Sequence, residues 1–314
     1  MFSFLRRSSA AASAGWHSVC LYPGRIDVAR VRRGAGKPCV EALESWERKD
    51  ADDAAMLRLS KHYGLKRNPC TTLLAGNEYQ LLQVARPTLQ PKQRLSEALR
   101  DVVKDTLETP IEHVTLDGVD IVTEAYAPGR PWQCYAVAAN NAVIAPRVQM
   151  FDRAHINLTA IDIPDFAQRN IAALAEDKDR GLAFLAFGET EGLLTFTFNG
   201  ELYLSRRIEM GFRQLMTDDM DRRSGLFDRI GLELQRSLDN FDRAFGFIPV
   251  NRVLIGPQPE SQPLSGFLAY YLSIKTEILD LADVLDFAAV PELAKPERQG
   301  QCLLSIGAAL RDMP

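Results

Sequence analysis

Apolar positions fall first in two short runs, Val19-Cys20-Leu21-Tyr22 and Ile26-Asp27-Val28-Ala29-Arg30-Val31. Pro23-Gly24 lies between them and is a strong turn signal, so the pair reads as a hairpin. Val40 to Trp46 continues it as a third strand. From 51 to 63 the spacing changes to helical: Met56, Leu57, Leu59 and Tyr63 form one face, and Gly64 stops it. Strands are predicted at 71–75 and 79–85, around Gly76-Asn77. A helix over 95–107 places Leu95, Leu99, Val102, Val103 and Leu107 together. Strands at 119–125 and 133–139 bracket Pro128-Gly129. A helix over 140–152 is interrupted or bounded near Pro146. A strand at 158–162 leads into a helix at 164–175.

The run Ala175-Glu176-Asp177-Lys178-Asp179-Arg180 is charged and has no apolar anchor, so it marks the best boundary in the chain. After it the pattern restarts. Strands are predicted at 182–187, 193–198 and 201–208, joined by Gly188 and by Asn199-Gly200, a favoured hairpin turn. In the long helix that follows, Leu226, Phe227, Ile230, Leu234, Leu238, Phe241 and Phe245 recur at three- and four-residue steps, with Arg236 and Asp239 off that face. A strand at 252–255, a helix at 264–272, a short strand at 277–281 and a helix at 301–310 complete the chain. Each half opens with a β-meander and goes on to alternate helix and strand. That is a weak duplication of pattern, as in a two-lobed α/β chain.

Composition narrows the classes. The chain has 314 residues, enough for two ordinary domains; 46% are hydrophobic and 25% charged, which is a folded profile. With 41 acidic and 37 basic residues the formal charge is −4. No basic patch calls for nucleic acid. No segment approaches the ~18 apolar residues that span a bilayer. Met1-Phe2-Ser3-Phe4-Leu5-Arg6-Arg7 has its charges after its apolar residues, the wrong order for a secretory signal, so the protein is expected inside the cell. Phe2, Phe4, Leu5, Arg6 and Arg7 offer at most a weak membrane-surface contact. Five cysteines (20, 39, 70, 134, 302) and four histidines (17, 62, 113, 155) are scattered without ligand spacing. No metal, cofactor or disulfide framework is expected. Carboxylate pairs such as Asp218-Asp219 and Asp52-Asp53 sit beside helix starts, where capping and the helix dipole favour acids.

Several segments together resemble a known family. Asn199 to Ile208 (Asn-Gly-Glu-Leu-Tyr-Leu-Ser-Arg-Arg-Ile), then Gly211 and Gln214-Leu215, resembles the second-lobe meander of the PilM-like type IV pilus assembly proteins. The helix with Glu233-Leu234-Gln235-Arg236-Ser237-Leu238-Asp239 is closer still to that pattern. Ile161-Asp162-Ile163-Pro164-Asp165-Phe166-Ala167 is similar to the family's entry into the helix ending its first lobe. Among its branches the chain looks most like MshI, of mannose-sensitive haemagglutinin (MSHA) pilus biogenesis. The resemblance implies an α/β, actin-like fold of two ribonuclease-H-like lobes, 1–175 and 176–314, with an inserted subdomain at about 38–127 in the first.

An active actin-like site needs two Asp-containing β-turns for phosphate and Mg²⁺, a hard ion that takes oxygen ligands, and a glycine-rich turn for the nucleoside. Laid on that pattern, the first turn has Cys20 in place of the Asp, Tyr22 in place of a Gly and Asp27 in place of a Lys. A thiol does not replace a carboxylate for Mg²⁺, and Asp27 would repel phosphate. In the second turn Ala186 stands for the Asp; Gly188 is kept, but Glu189 and Glu191 replace small hydroxyl or apolar residues. In the third, Leu254-Ile255-Gly256-Pro257-Gln258-Pro259 replaces a run of glycines, and two prolines fix φ and remove donors. GxxxxGK[ST], GxGxxG and GxSxG are absent.

The resemblance therefore implies a cytoplasmic scaffold, peripheral on the inner membrane, that captures the tail of a PilN-like or MshJ-type membrane protein. Peptide capture needs a groove and no reactive group. Two rivals remain open at this point. One is a working actin-like ATPase or sugar-kinase relative. The other is the cytoplasmic part of a GspL-type secretion protein, which usually carries a membrane helix after this region; this chain ends at Pro314 without one.

Overall fold

The computed structural model describes residues 16–48, 53–121 and 132–311. The N-terminal residues Phe2, Phe4, Leu5, Arg6 and Arg7 and the Pro128-Gly129 turn lie outside them. The chain divides into two compact units. One comprises Met1–Arg33, Ala42–Pro164 and Ala308–Pro314; the other comprises Gly34–Glu41 and Asp165–Gly307.

In the first unit β1 (Trp16–Tyr22) and β2 (Arg25–Arg32) pair antiparallel across Pro23-Gly24. Gly24 takes φ +72°, which the two-residue turn requires. β3 (Cys39–Glu47) extends the sheet on one side. On the other, β4 (Cys70–Leu73) and β8 (Leu158–Asp162) run parallel to β1, so the order is β3-β2-β1-β4-β8. Helix α1 (Asp53–Tyr63) buries Met56 and Leu59 in a core with Val19, Ile26, Val28, Leu65 and Phe151. Phe151 comes from α3 (Asn141–Arg153), capped by Asn140, whose Oδ1 accepts from Ala142 N–H at 2.8 Å. Pro146 lies within α3 and neither interrupts nor ends it.

Between β4 and α3 stands a separate sheet, β5 (Tyr79–Ala85), β6 (Val114–Ile121) and β7 (Gln133–Asn140), in the order β5-β7-β6. Helix α2 (Leu95–Val103) covers one face through Leu99 and Val103, packed on Cys134 and Ala136. α2 is shorter than the pattern over 95–107 suggested, and Val102 is exposed. The inserted piece also starts and ends later than expected. β3 and β4, inside the 38–127 range, belong to the five-stranded sheet, while β7 belongs to the inserted one. Strand partners are set by tertiary pairing, which a local run of apolar residues does not encode.

The second unit repeats the first sheet's plan. β9 (Gly181–Phe187), β10 (Gly192–Phe198) and β11 (Glu201–Ile208) form an antiparallel meander. β12 (Val250–Ile255) and β13 (Lys275–Ile278) add on in parallel, giving β11-β10-β9-β12-β13. The last strand comes earlier than the expected 277–281, and residues 281–283 turn into a 3₁₀ helix. Every residue of β9 and β10 is buried, which is why both read as mostly apolar runs, broken in β10 only by Thr195 and Thr197.

α4 (Pro164–Ala175) packs on this sheet. Gln168, fully buried, donates from Nε2 to Phe184 O, Leu193 O and Thr195 Oγ1, each at 3.0 Å. These bonds tie the helix to the second unit, so the compact-unit border and the charged run at 176–180 differ by the length of α4. After α5 (Phe212–Leu215) comes α6 (Met220–Phe245), capped by Asp219. Its buried face passes through Leu226, Ile230, Leu234, Ser237, Phe241 and Phe245, and Phe241 stacks on Phe196 at 4.6 Å. Leu238 is only half-buried. Ser237 takes the inward position because its hydroxyl donates to Glu233 O at 2.7 Å and needs no other partner. α7 (Ser261–Leu272) and α8 (Pro296–Ala309) complete the unit. Among the described residues no helix is long and apolar enough to cross a membrane.

Candidate functional site

The two sheets place equivalent hairpins at β1–β2 and β9–β10, and the end of β12 supplies a third turn.

At β1–β2, Cys20 pairs with Asp27 and Tyr22 with Arg25. Cys20 and Asp27 are fully buried. A carboxylate there needs partners, and it has them. Arg25 Nε donates to both Asp27 oxygens, at 2.9 and 3.1 Å, and Ser45 Oγ donates to Oδ1 at 2.6 Å. The Arg25 guanidinium lies over the Tyr22 ring, 4.5 Å from its centre. Arg48 N–H closes the turn onto Gly24 O at 2.9 Å. Nearby Cys70 is pushed well above the usual thiol range by burial, then by its neighbour Cys20, so it stays a neutral thiol. The hairpin is a closed, internally neutralised unit. At the end of β8, Asp162 is likewise committed: Arg311 donates to Oδ2 at 2.7 Å in a buried ion pair, and Ile163 N–H donates to Oδ1 at 2.8 Å.

At β9–β10 the turn is longer. Gly188 N–H donates to Glu191 O at 2.7 Å, and Phe212 N–H donates to Gly188 O at 2.9 Å. This brings the start of α5 against the turn. The approach is so close that a Cβ on Gly211 would lie 2.1 Å from Glu189 O. Around it lies an open depression of about 470 Å³, lined by Glu189, Thr190, Glu191, Glu209, Arg213 and Gln214. Arg213 pairs with Glu189 at 2.8 Å. Three carboxylates against one guanidinium leave the hollow net negative, which disfavours phosphate.

The third turn closes on the second. Gly256 N–H donates to Leu185 O at 2.8 Å, and a Cβ at 256 would come within 3.0 Å of the Ala186 Cβ. Ser261 Oγ donates to Gly256 O at 2.5 Å. Gln258 Nε2 donates to Phe187 O, tying the turn to the end of β9. A Cβ on Gly300 of α8 would stand 2.1 Å from Pro257 O, so the helix backbone lies directly on the loop.

Of the seven residues singled out from the sequence, Cys20, Tyr22 and Asp27 thus share one hairpin. Ala186, Gly188, Gly256 and Pro257 gather at neighbouring strand ends of the second sheet. Side chains outside the sequence pattern secure this region: Arg25 and Ser45 on Asp27, Gln258 on Phe187 and, at the end of β8, Arg311 on Asp162. Arg25 was discoverable, since residues two apart on a strand share a face; the others depend on distant chain. Among the described residues no group of three or more His, Cys, Asp and Glu is placed to hold a metal ion.

No family model matches this sequence, and no curated protein matches it. Solved structures do match in shape. The PilM-PilN type IV pilus biogenesis complex matches at TM-score 0.69 and 19% identity, over 94% of this chain and 97% of that one. A Bacteroides thetaiotaomicron protein with actin-like ATPase fold and unknown function matches at TM-score 0.51 and 6% identity, over 94% and 96% of the two chains. The fold is actin-like. The cytoplasmic domain of EpsL, an inner-membrane component of the Vibrio cholerae type II secretion system, matches at TM-score 0.49 and 12% identity, over 96% and 97%.

Proposed function

We propose that this chain is a pseudo-ATPase scaffold of a type IV pilus assembly platform, of the MshI kind. In this reading it works in the cytoplasm, peripheral on the inner membrane, and captures the cytoplasmic tail of a PilN-like protein, an MshJ-type subunit in the MSHA system. The observation that carries this reading is the close packing of the third turn on Ala186: a Cβ added at Gly256 would lie 3.0 Å from the Ala186 Cβ, at the place where an active turn presents a carboxylate. Asp27, the nearest acid of the first hairpin, is engaged by Arg25 and Ser45. Glu189 and Glu191, in the second turn, line its hollow with charge of phosphate's own sign. The partner class rests on the sequence resemblance and on the fold shared with the PilM-PilN complex.

The test has two arms. Calorimetric titration of purified protein with Mg²⁺-ATP should give no binding at micromolar concentration and no hydrolysis above a buffer blank. Stoichiometric ATP binding would remove the pseudo-ATPase claim. Fractionation of cells with and without a PilN-like partner should move the protein to the membrane only when the partner is present, and deletion of residues 1–14 should leave that shift largely intact. Membrane binding without the partner, lost on truncation, would make the N-terminus the anchor and defeat capture.

A further inference from the structure

Three strands of the first sheet start at one end. β1, β4 and β8 run parallel, with His17↔Cys70 and Cys70↔Leu158 in register. The segments that lead into them are laced together there. His17 N–H donates to Pro69 O at 3.2 Å, Cys70 N–H to Asn157 O at 3.0 Å and Asn157 N–H to Leu65 O at 3.0 Å. The last turn of α1, which runs into Gly64 and Leu65, lies at this end too. The end is basic. Lys61, His62, Lys66, Arg67 and His155 are exposed on it. Glu44 stands 4.0 Å from His62, and Asp152 closes α3 before His155. Lys61, Lys66 and Arg67 form no ion pair among the described residues.

Residues 1–15 join the molecule at the same end. Trp16 is buried and its indole N–H donates to Thr71 Oγ1, so the point of attachment is fixed. The joining sequence carries Phe2, Phe4 and Leu5 next to Arg6 and Arg7, and no acid. The chain from Arg7 to Trp16 spans at most about 32 Å, so its arginines and the basic end can meet one surface together.

We infer that this end of the first sheet, with residues 1–7, is the face that rests on an anionic lipid surface. Apolar residues beside arginines have both parts of an interfacial contact, but one such segment is a weak anchor and needs a second signal, such as a basic patch. Lys61, Lys66 and Arg67 supply that patch. Lys61 also suits the carbonyl end of α1; Lys66 and Arg67 lie past the helix. A headgroup layer accounts for the apolar residues as well as the charges, whereas nucleic acid accounts for the charges alone. The inference deepens the proposed function and rests on it for its setting. The partner holds the protein at the membrane, and this end decides which way it faces. The β1–β2 turn, at the other end of the seven-residue β1 and about 20 Å away, is left clear of the bilayer. At cellular ionic strength charges are screened within about 8 Å. The contact alone therefore does not retain the protein in fractionation, and the outcome expected there is unchanged.

The experiment is co-sedimentation of the full chain with vesicles at about 50 mM salt. Vesicles with about one-third phosphatidylglycerol should bind it, neutral phosphatidylcholine vesicles should not, and about 500 mM salt should release it. Each cation near such a surface is worth about fivefold in partition. Lys66→Glu with Arg67→Glu should therefore lower binding at least ~tenfold while leaving the circular dichroism unchanged. Deleting residues 1–14 should lower it at least ~fivefold. Arg229→Glu, exposed on α6, should leave it intact. Amide exchange at wild-type residues 64–68 should slow on anionic vesicles, which decides the matter should the double variant fail to fold. Absence of binding, equal binding to neutral vesicles, or binding insensitive to either change overturns the inference. So does binding to duplex DNA with none to vesicles, which would assign the patch to nucleic acid. The vesicles carry no partner protein, so these failures leave tail capture untouched, and a failed capture test leaves vesicle binding untouched.

Discussion

The β1–β2 and β9–β10 hairpins occupy the same place in two sheets of identical strand order, yet one has turned its chemistry inward and the other outward. The first is a two-residue turn whose acid, Asp27, is fully buried and held by Arg25 and Ser45. The second is a four-residue turn whose acids, Glu189 and Glu191, line an open hollow. A shared topology positions a turn and leaves its chemistry free. Function therefore has to be argued hairpin by hairpin, even inside one chain.

Removing one partner from each hairpin's ion pair tests that contrast most directly. Arg25→Ala strands a buried carboxylate and should cost about 3 kcal/mol of unfolding free energy in urea, less than the loss of a wholly buried partner because Arg25 is partly exposed. Arg213→Ala breaks a pair whose side chains are 69% and 44% exposed, and solvent screening should hold its cost to about 0–1 kcal/mol. Equal losses would mean the two turns are alike after all. Replacing Arg25 and Asp27 together by apolar residues should recover most of the first loss, because no unpaired charge remains.

Gly211→Ala probes the outward turn from its backbone side. The added methyl would meet Glu189 O at 2.1 Å, so the turn or the start of α5 has to move. A cost of about 1–3 kcal/mol is expected, together with a change in the environment of the hollow. Chemical shifts of residues 188–192 should move while those of the first hairpin stay. Unmoved shifts at 188–192 would show that the close approach is not maintained in solution.

The sequence made the repeated meander readable because burial differs along it. β9 and β10 are buried along their whole length and mostly apolar, and the turns at Pro23-Gly24 and Asn199-Gly200 demand positive φ, which Gly24, Asn199 and Gly200 supply. What it hid was long-range. The limits of the inserted sheet depend on which strand β7 joins. The engagement of Asp27 depends on Ser45, eighteen residues away, and the closing of the third turn depends on Gln258 reaching Phe187. Leu238 was misplaced because helical spacing cannot tell that the hydroxyl of Ser237 satisfies itself on Glu233.

The smallest expected effect lies at the second meander's other turn and carries a pH signature. Glu176 Oε2 accepts from Gly200 N–H at 2.9 Å, so the carboxyl holds the Asn199-Gly200 hairpin. Burial raises its pKa above the ordinary 4.5, and the hydrogen bond from Gly200 N–H offsets this only in part. A carboxyl whose folded pKa is raised binds its proton more tightly in the native state. Its contribution to stability is fully present below the unfolded value and is lost as pH rises through the folded value. Glu176→Gln keeps the acceptor for Gly200 and removes the titration. The variant should therefore match wild type below the carboxylate range and become the more stable of the two as pH rises past it. Urea midpoints at a series of pH values measure this. A variant less stable than wild type at neutral pH would mean that the ionised carboxylate supports the hairpin, and that the second sheet's turns, like the first sheet's, rely on a committed charge.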